Sequence, residues 1–377
     1  MKVAIIHEYL VKMGGAEKVL EDIYSLFEEA DIFCLVQDTS FKDLNINYSR
    51  VQSLTSKFPK FILKRYQNLA FLYPYLIEDL DLSDYDLVIS LNNSFSHGVI
   101  TNQDTVHINY YHSPMRFIWD YYHKYPNDLR LGFFKNFIWK LIALKLRIWD
   151  FAASKRGDYR ICISQEIKKR IKKYYKLDAK VINPPVDLKG LKYKDSDGYY
   201  LIISRLSKYK NIDLAVKAFN ENGKKLVIAG SGKELGNLKK LADENIEFLG
   251  YVSDKRRLEL FSKCKGFICL ASAEDFGLTP IEAMACGKPV FAYESGGIKE
   301  TVENKVNGIL FKELNIECFN EKFKEFEEFI SNKWSKDVNT KHSKKFSKDR
   351  FRLEFKEFTS EVYRKHTGKD LKFKNLN

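Results

Sequence analysis

The sequence has no apolar run long enough to cross a bilayer, which excludes a helical membrane span. Its first residues, Met1-Lys2-Val3-Ala4-Ile5-Ile6, lack the long apolar stretch and small-residue cleavage site of a secretory signal. The expected location is therefore the cytoplasm. Paired cysteines are missing as well. Cys34, Cys162, Cys264, Cys269, Cys286 and Cys318 are scattered, with no C-x-x-C pair and none at zinc-ligand spacing from a histidine. Each reads as a small buried hydrophobe in a reducing compartment. The dinucleotide fingerprint is also lacking. After Gly230-Ser231-Gly232-Lys233 the third glycine, Gly236, comes one residue late, which disfavours a NAD-dependent oxidoreductase.

What is present is a globular composition: 377 residues, 45% hydrophobic and 30% charged. That length suggests two domains, each with enough apolar material for a core. The formal charge of +13 and a pI near 9.1 favour polyanionic partners: phosphorylated ligands, an anionic membrane surface or nucleic acid. Aromatics at 14% suit stacking on bases or sugars and suit ordinary cores equally well.

Short apolar strands alternate with amphipathic helices. The first series of strands is expected at Val3–Ile6, Ile32–Val36, Leu87–Ser90, His107–Tyr111 and Ile161–Ser164, with helices at Ala16–Ala30 and Gln165–Tyr175. The second runs Tyr200–Ile203, Lys225–Ala229, Ile246–Leu249, Gly266–Cys269, Pro289–Ala292 and Ile309–Phe311, with a helix at Ile212–Phe219. This alternation implies an α/β protein of two doubly wound parallel sheets with right-handed crossovers. The break is expected at Asn183-Pro184-Pro185-Val186-Asp187 and the polar stretch Lys192–Gly198, dividing the chain into 1–187 and 188–348. Residues 349–377 read as a C-terminal helix that packs back on the first domain, followed by a polar, fraying tail. Ligands of such sheets bind beyond the carboxyl ends of the strands.

Candidate site residues cluster after those strand ends. In Ala273-Glu274-Asp275-Phe276-Gly277-Leu278-Thr279-Pro280-Ile281-Glu282, Thr279 can be an N-cap, Pro280 the first helical residue and Glu282 the partner of a capping box. Phe276, Gly277, Leu278 and Thr279 bring backbone N–H groups to a helix start, an anion-binding arrangement. Glu274 sits in the ligand-binding loop, where the bland alternative is a solvated carboxylate. Ser204-Arg205-Leu206-Ser207-Lys208-Tyr209-Lys210-Asn211 follows a strand. Arg205 as a fork and Lys210 as a point charge suit a departing diphosphate, whereas Lys208 reads as solvated. Gly14-Gly15-Ala16-Glu17 opens a helix and lets the backbone approach a phosphate; a plain tight turn is the alternative. His112, in Tyr110-Tyr111-His112-Ser113-Pro114, ends another strand, and His7 is placed similarly with less weight.

The frame Glu274-Asp275-Phe276-Gly277-Leu278-Thr279-Pro280-Ile281-Glu282-Ala283 resembles the E-x7-E motif of glycosyltransferase family 4, as do Ala285-Cys286-Gly287-Lys288-Pro289-Val290 and Gly296-Gly297-Ile298-Lys299-Glu300. The resemblance is strong from Tyr199 to Phe311 and looser before it. It implies the GT-B fold, with an acceptor-binding domain at 1–187 and a donor-binding domain at 188–348 facing a central cleft. It also implies a retaining, metal-independent transfer with no cofactor beyond the nucleotide-sugar co-substrate. Glu274 would contact donor-sugar hydroxyls, Glu282 the ribose, Arg205 and Lys210 the diphosphate, Gly14 and Gly15 the donor phosphates. His112 would contact the sugar near the reacting carbon, Ser253 would meet the base, and Ser204 would line the donor site. The segments Ser204–Phe219 and Ala273–Ala283 look most like the GDP-mannose branch, although Asn211 replaces a basic residue common there. Asp195-Ser196-Asp197 has the D-x-D form of metal-dependent glycosyltransferases but lies away from a strand end and reads as a solvated turn.

The span Phe133–Trp149 is aromatic and basic and, with Lys57–Arg65, suits an anionic membrane surface; a core helix with lysines at its edge is the favoured alternative. The expected acceptor is a glycan or lipid-linked oligosaccharide, reached in the cytoplasm or on the inner face of the cytoplasmic membrane. Rival readings keep the fold with a UDP- or ADP-sugar donor, or make the chain a nucleotide-sugar epimerase or a phosphorylase. No nucleic-acid module is recognisable, so nucleic acid is not an expected partner.

Overall fold

The structure is a computed structural model that describes residues 1–128, 132–371 and 373; of the tail expected to fray, residues 372 and 374–377 lie outside the described residues. The chain divides into two compact units, Met1–Pro185 together with Phe351–Asn377, and Val186–Arg350.

The first unit is built on seven parallel strands: β1 (Val3–Leu10), β2 (Asp31–Gln37), β3 (Val51–Ser53), β4 (Leu87–Asn92), β5 (Val106–Tyr111), β6 (Tyr159–Cys162) and β7 (Lys180–Val181), in the order β3-β2-β1-β4-β5-β6-β7. The residues of β1, β2, β4 and β5 are buried on both faces, which is why these strands read as continuous apolar runs. Ile5 pairs with Ile32 on one side and Ile89 on the other. The sheet order reverses at β1, so a crevice opens between the ends of β1 and β4.

The second unit has β8 (Tyr200–Ile203), β9 (Leu226–Ala229), β10 (Ile246–Gly250), β11 (Gly266–Cys269), β12 (Val290–Tyr293) and β13 (Gly308–Phe311), ordered β10-β9-β8-β11-β12-β13 and again all parallel. Its reversal point lies between β8 and β11. One side of the core is a cluster of rings, with Phe291 stacked on Phe311 at 4.9 Å and edge-on to Phe319 at 5.0 Å.

Several boundaries differ from the sequence reading, each for a physical reason. β1 runs to Leu10, past the polar pair His7-Glu8, so His7 lies inside the strand rather than at its end. The polar side chains are tolerated because both find hydrogen-bonding partners, as described below. The first helix, Gly15–Tyr24, stops before Ala30. The chain continues in tight turns, Leu26 N–H to Ile23 O and Phe27 N–H to Tyr24 O, which keep Leu26 and Phe27 buried and so prolong the apolar pattern. β3 and β7 escaped notice because three- and two-residue edge strands leave no periodicity to read. The stretch Lys192–Gly198 is fastened to the second unit: Lys194 N–H donates to Ser262 O and Asp197 N–H to Lys263 O.

The helix Lys348–Thr367 brings Phe351 and Phe355 edge-on to Tyr110 at 6.0 and 6.3 Å. It also forms an ion pair between Arg352 and the fully buried Asp22, 2.6 Å. These contacts belong to the first unit.

Candidate functional site

Two loops meet at the reversal point of the second sheet. The first leaves β8 through Ser204 and Arg205 and tightens into a 3-10 turn at Lys208–Lys210. The second leaves β11 and carries Glu274. Backbone and side-chain bonds join them before any charge is considered: Ser272 N–H and Oγ both donate to Tyr209 O, at 2.9 and 3.1 Å. Asn211 takes a left-handed conformation, φ 49°, that asparagine tolerates better than most residues, and its Nδ2 donates to Leu270 O at 2.8 Å. The departure at Asn211 from the family pattern thus has a local role in closing the loop.

On this frame Lys210 Nζ lies 2.5 Å from Glu274 Oε2. Burial lowers the lysine's affinity for its proton, but the adjacent carboxylate outweighs that and holds the ammonium above its ordinary pKa. Lys210 is therefore a fixed cation. Arg205 is exposed at the mouth of the same loop, and Ser204 Oγ donates to Arg205 O. Ser204, Lys210, Cys269, Ala271 and Thr279 line a small recess there.

Glycine makes the close packing of these loops possible. A Cβ on Gly296 would stand 2.1 Å from Glu274 O, and the residue has φ 49°. Gly297 N–H donates to that same oxygen at 2.9 Å. The Gly296-Gly297 pair thereby fixes the backbone that carries Glu274, a role its sequence pattern had not disclosed. Gly230, φ 136°, likewise lets the β9 loop lie against Ser204 O, which a Cβ would approach to 1.8 Å.

The capping box expected at Thr279 and Glu282 does not form. The helix begins at Leu278, its cap is Gly277 with φ 98°, and no side chain caps it, so Thr279 lies inside the first turn. Glu282 instead faces the helix Asp254–Lys263, where Arg257 Nη1 donates to its two carboxylate oxygens at 2.7 and 2.8 Å. Glu282 is buried, and the carboxylate raises the Arg257 pKa against the effect of burial. Arg257 was missed by sequence reasoning, because one arginine in Asp254-Lys255-Arg256-Arg257 carries no signal of its own. Ser253, expected near a base, caps that helix by accepting from Arg256 N–H at 3.4 Å. Asp195-Ser196-Asp197 is an exposed turn, with Gly198 N–H donating to Ser196 Oγ and Asp197 paired to Lys263 at 3.2 Å. All six cysteines are free; Cys269 and Cys318 are only half-buried, unlike the other four.

In the first unit β1 and the loop after β4 are joined by Glu8. Its Oε1 accepts N–H bonds from Asn93 at 2.9 Å, Phe95 at 2.7 Å and Ser94. Burial raises the Glu8 pKa and these donors oppose the rise. Beside it His7 Nε2 lies 3.3 Å from Glu17 Oε1, which places Glu17 just beneath the Gly14-Gly15 loop. Gly14 is the extended N-cap of the first helix. His112 follows β5 directly, its N–H donating to Asn92 O at 2.9 Å. Burial, assisted by the nearby His7, pushes its pKa down to about 3, so its ring is neutral at physiological pH, and Nε2 has no hydrogen-bond partner among the described residues.

Two family descriptions match the chain: "Glycosyltransferase Family 4" over residues 13–189 and "Glycosyl transferases group 1" over residues 187–339. An uncharacterized glycosyltransferase of Methanocaldococcus jannaschii, MJ1178, is 28% identical over 55% of this chain and 59% of its own length. The alpha-1,3/1,6-mannosyltransferase ALG2 of Saccharomyces cerevisiae is 31% identical over 36% of this chain and 38% of its own. The chain thus aligns with less than two thirds of either relative. Among solved structures, Alr3699/HepE of Anabaena in complex with UDP-glucose shares the GT-B fold, with a TM-score of 0.67, 20% identity, and coverage of 96% of this chain and 100% of that one.

Proposed function

The chain belongs to glycosyltransferase family 4, and on that premise we propose that it transfers mannose from GDP-mannose, with retention of configuration and without a metal ion. The acceptor in this reading is a glycan or lipid-linked oligosaccharide of cell-surface polysaccharide, lipopolysaccharide or other glycan synthesis, met at the inner face of the cytoplasmic membrane. The observation that carries the proposal is the Lys210–Glu274 pair at the sheet reversal, with Arg205 at its mouth. One cation and one carboxylate, already neutralising each other, suit a ligand with an anionic half and a hydroxyl-rich half.

In the proposed reaction Arg205 and Lys210 take up the charge that develops on the departing diphosphate, as a metal ion does elsewhere. Glu274 accepts hydrogen bonds from sugar hydroxyls, and Glu282 does the same for the ribose. The resemblance gives His112 a contact with the sugar near the reacting carbon; as a neutral ring it orients by hydrogen bonding and adds no charge. The acceptor hydroxyl attacks from the face the diphosphate leaves and passes its proton to the leaving phosphate oxygen. No side chain is assigned as a covalent nucleophile.

A UDP-sugar donor is the second reading. Asn211 stands where the GDP-mannose branch commonly has a basic residue, and Alr3699/HepE was solved with UDP-glucose on this fold. A thermal-shift panel of GDP, UDP and ADP with their sugars, run with magnesium and with a chelator, separates them. Selective stabilisation by GDP and GDP-mannose in both conditions is the expected result. A preference for UDP compounds overturns the donor, and no response to any compound overturns the nucleotide site.

A further inference from the structure

The helix Phe133–Ala153 is amphipathic in an unusual sense. Ala143, Leu146, Asp150 and Ala153 bury one side of it in the first unit. The opposite side is not polar. Phe133, Phe137, Leu141, Leu144, Ile148 and Phe151 form a single exposed stripe, at spacings of four and three residues, with Phe133 94% and Ile148 64% exposed. Successive turns carry it over about 27 Å. The core-helix reading favoured on sequence is therefore corrected: apolar residues surround the helix, but a continuous stripe of them faces outward. Large exposed apolar patches on a folded protein mark contact with another apolar phase.

The charges beside the stripe decide which phase. On a helical projection Lys140 borders it on one side and Lys145 on the other, and both are exposed. The helix has one acidic residue, Asp150, and it is fully buried, bonded by Trp119 Nε1 at 2.7 Å and Tyr175 OH at 3.1 Å. A second helix of the same kind laid on this stripe would bring lysine against lysine with no carboxylate to offset them. An anionic lipid surface offers acyl chains to the stripe and phosphates to the lysines. A segment packed on the same core exposes apolar side chains of its own. Phe61 and Tyr75 are exposed, with Lys57, Lys64 and Arg65 near them in sequence. Their segment packs Tyr66, Leu69 and Leu76 on the core that holds Trp139 and Ile142. Trp149 Nε1 joins the two segments by donating to Glu78 Oε1 at 2.7 Å.

We infer that this face is a lipid-docking surface: the helix Phe133–Ala153 lies in the plane of an anionic leaflet, its phenylalanine and leucine stripe sunk among the acyl chains and its lysines on the phosphate level. No helix among the described residues is long and apolar enough to cross a membrane, so the contact is peripheral. The inference deepens the proposal of a lipid-linked acceptor and rests on it for its purpose, though its geometry stands alone.

The test is co-sedimentation of the full chain with vesicles of phosphatidylcholine alone or mixed with phosphatidylglycerol, at low and high salt, alongside light scattering without lipid. The expected result is a monomer that binds the mixed vesicles at least ~10-fold more tightly than the neutral ones, an advantage reduced by salt. Leu141→Asp with Ile148→Asp should abolish binding to either vesicle, and Lys140→Glu with Lys145→Glu should remove the preference for the anionic one. Because those side chains are exposed, the thermal midpoint and the nucleotide-induced shift should stay as in the parent chain, which separates failure here from failure of the donor assignment. Wild-type chain that ignores both vesicles, stripe variants that bind undiminished, or a dimer that Leu141→Asp dissolves would each overturn the inference.

Discussion

Lys210 and Glu274 meet at 2.5 Å although 64 residues separate them, because the loops after β8 and β11 are neighbours only at the point where the sheet order reverses. They neutralise each other. A donor that takes both must replace one close ion pair by two new contacts, one for each charge.

Lys210→Ala and Glu274→Ala should each lower transfer by roughly 100-fold or more. The two losses should combine to less than their product, because removing either partner already disorders the other. Steady-state rates for both single variants and the double variant measure the coupling. Near-normal turnover in both single variants would remove this pair from the mechanism.

Arg257 holds Glu282 from outside, so its effect should appear in the ribose. Arg257→Gln should weaken nucleoside diphosphate binding by roughly 10-fold, the scale of one charge-assisted hydrogen bond. It should also shrink the difference in affinity between ribo- and 2′-deoxyribonucleotides. Calorimetric titration with the two ligands decides the matter; an unchanged ratio means that Arg257 only supports the fold.

Gly296→Ala should impair activity through Glu274 without touching any ligand, since its Cβ would press on Glu274 O and its φ is 49°. A loss of at least about 1 kcal/mol in stability is expected together with a fall in kcat. Gly236→Ala is the control: among the described residues nothing but its chain neighbours and its own helix backbone lies within 4 Å of its added Cβ, and it sits in the helix Leu235–Leu241. That change should leave activity intact and raise stability by roughly 0.5–1 kcal/mol. Equal behaviour of the two variants would refute the positioning role.

His107 and His112 both have their pKa pushed down to about 3, chiefly by burial. The unfolded chain binds a proton at each below about pH 6.5, whereas the folded chain does so only near pH 3. Their contribution is therefore intact above pH 6.5 and is lost as the pH falls from there towards 3, by up to ~1.4 kcal/mol per pH unit for each. Urea midpoints at pH 7 and pH 5 should drop less in His112→Asn than in the parent chain. A parallel drop in both would contradict the assigned shift.

Most of the fold was legible because parallel strands covered on both faces leave short, dense apolar runs, as at Tyr200–Ile203 and Gly266–Cys269. The placement of Glu274, Lys210 and Arg205 just beyond strand ends was legible as well, since each follows such a run. What was hidden lies in relations across sequence. Nothing near Glu282 says that Arg257 will reach it, so a capping box was the natural local reading. Nothing in Val3–Leu10 says that Glu8 will find three N–H donors in the loop after β4, so the strand was cut short at its first polar residue. Hydrophobic periodicity likewise reports that Phe133 and Leu144 share a face and is silent on whether that face is covered.

The return of the helix Lys348–Thr367 to the first unit makes the second unit an insertion within the first. Asp22 and Arg352, partners in one ion pair, stand 330 residues apart. The second unit can therefore fold from a continuous stretch while the chain is still being made, whereas Tyr110 waits for Phe351 and Phe355, which are made only after the whole of that unit. Contacts of such long range are slow to form and leave apolar surface open in the interval. The first unit is thus completed only after the second has been made, and it is there that a stalled or shortened chain would be vulnerable to aggregation.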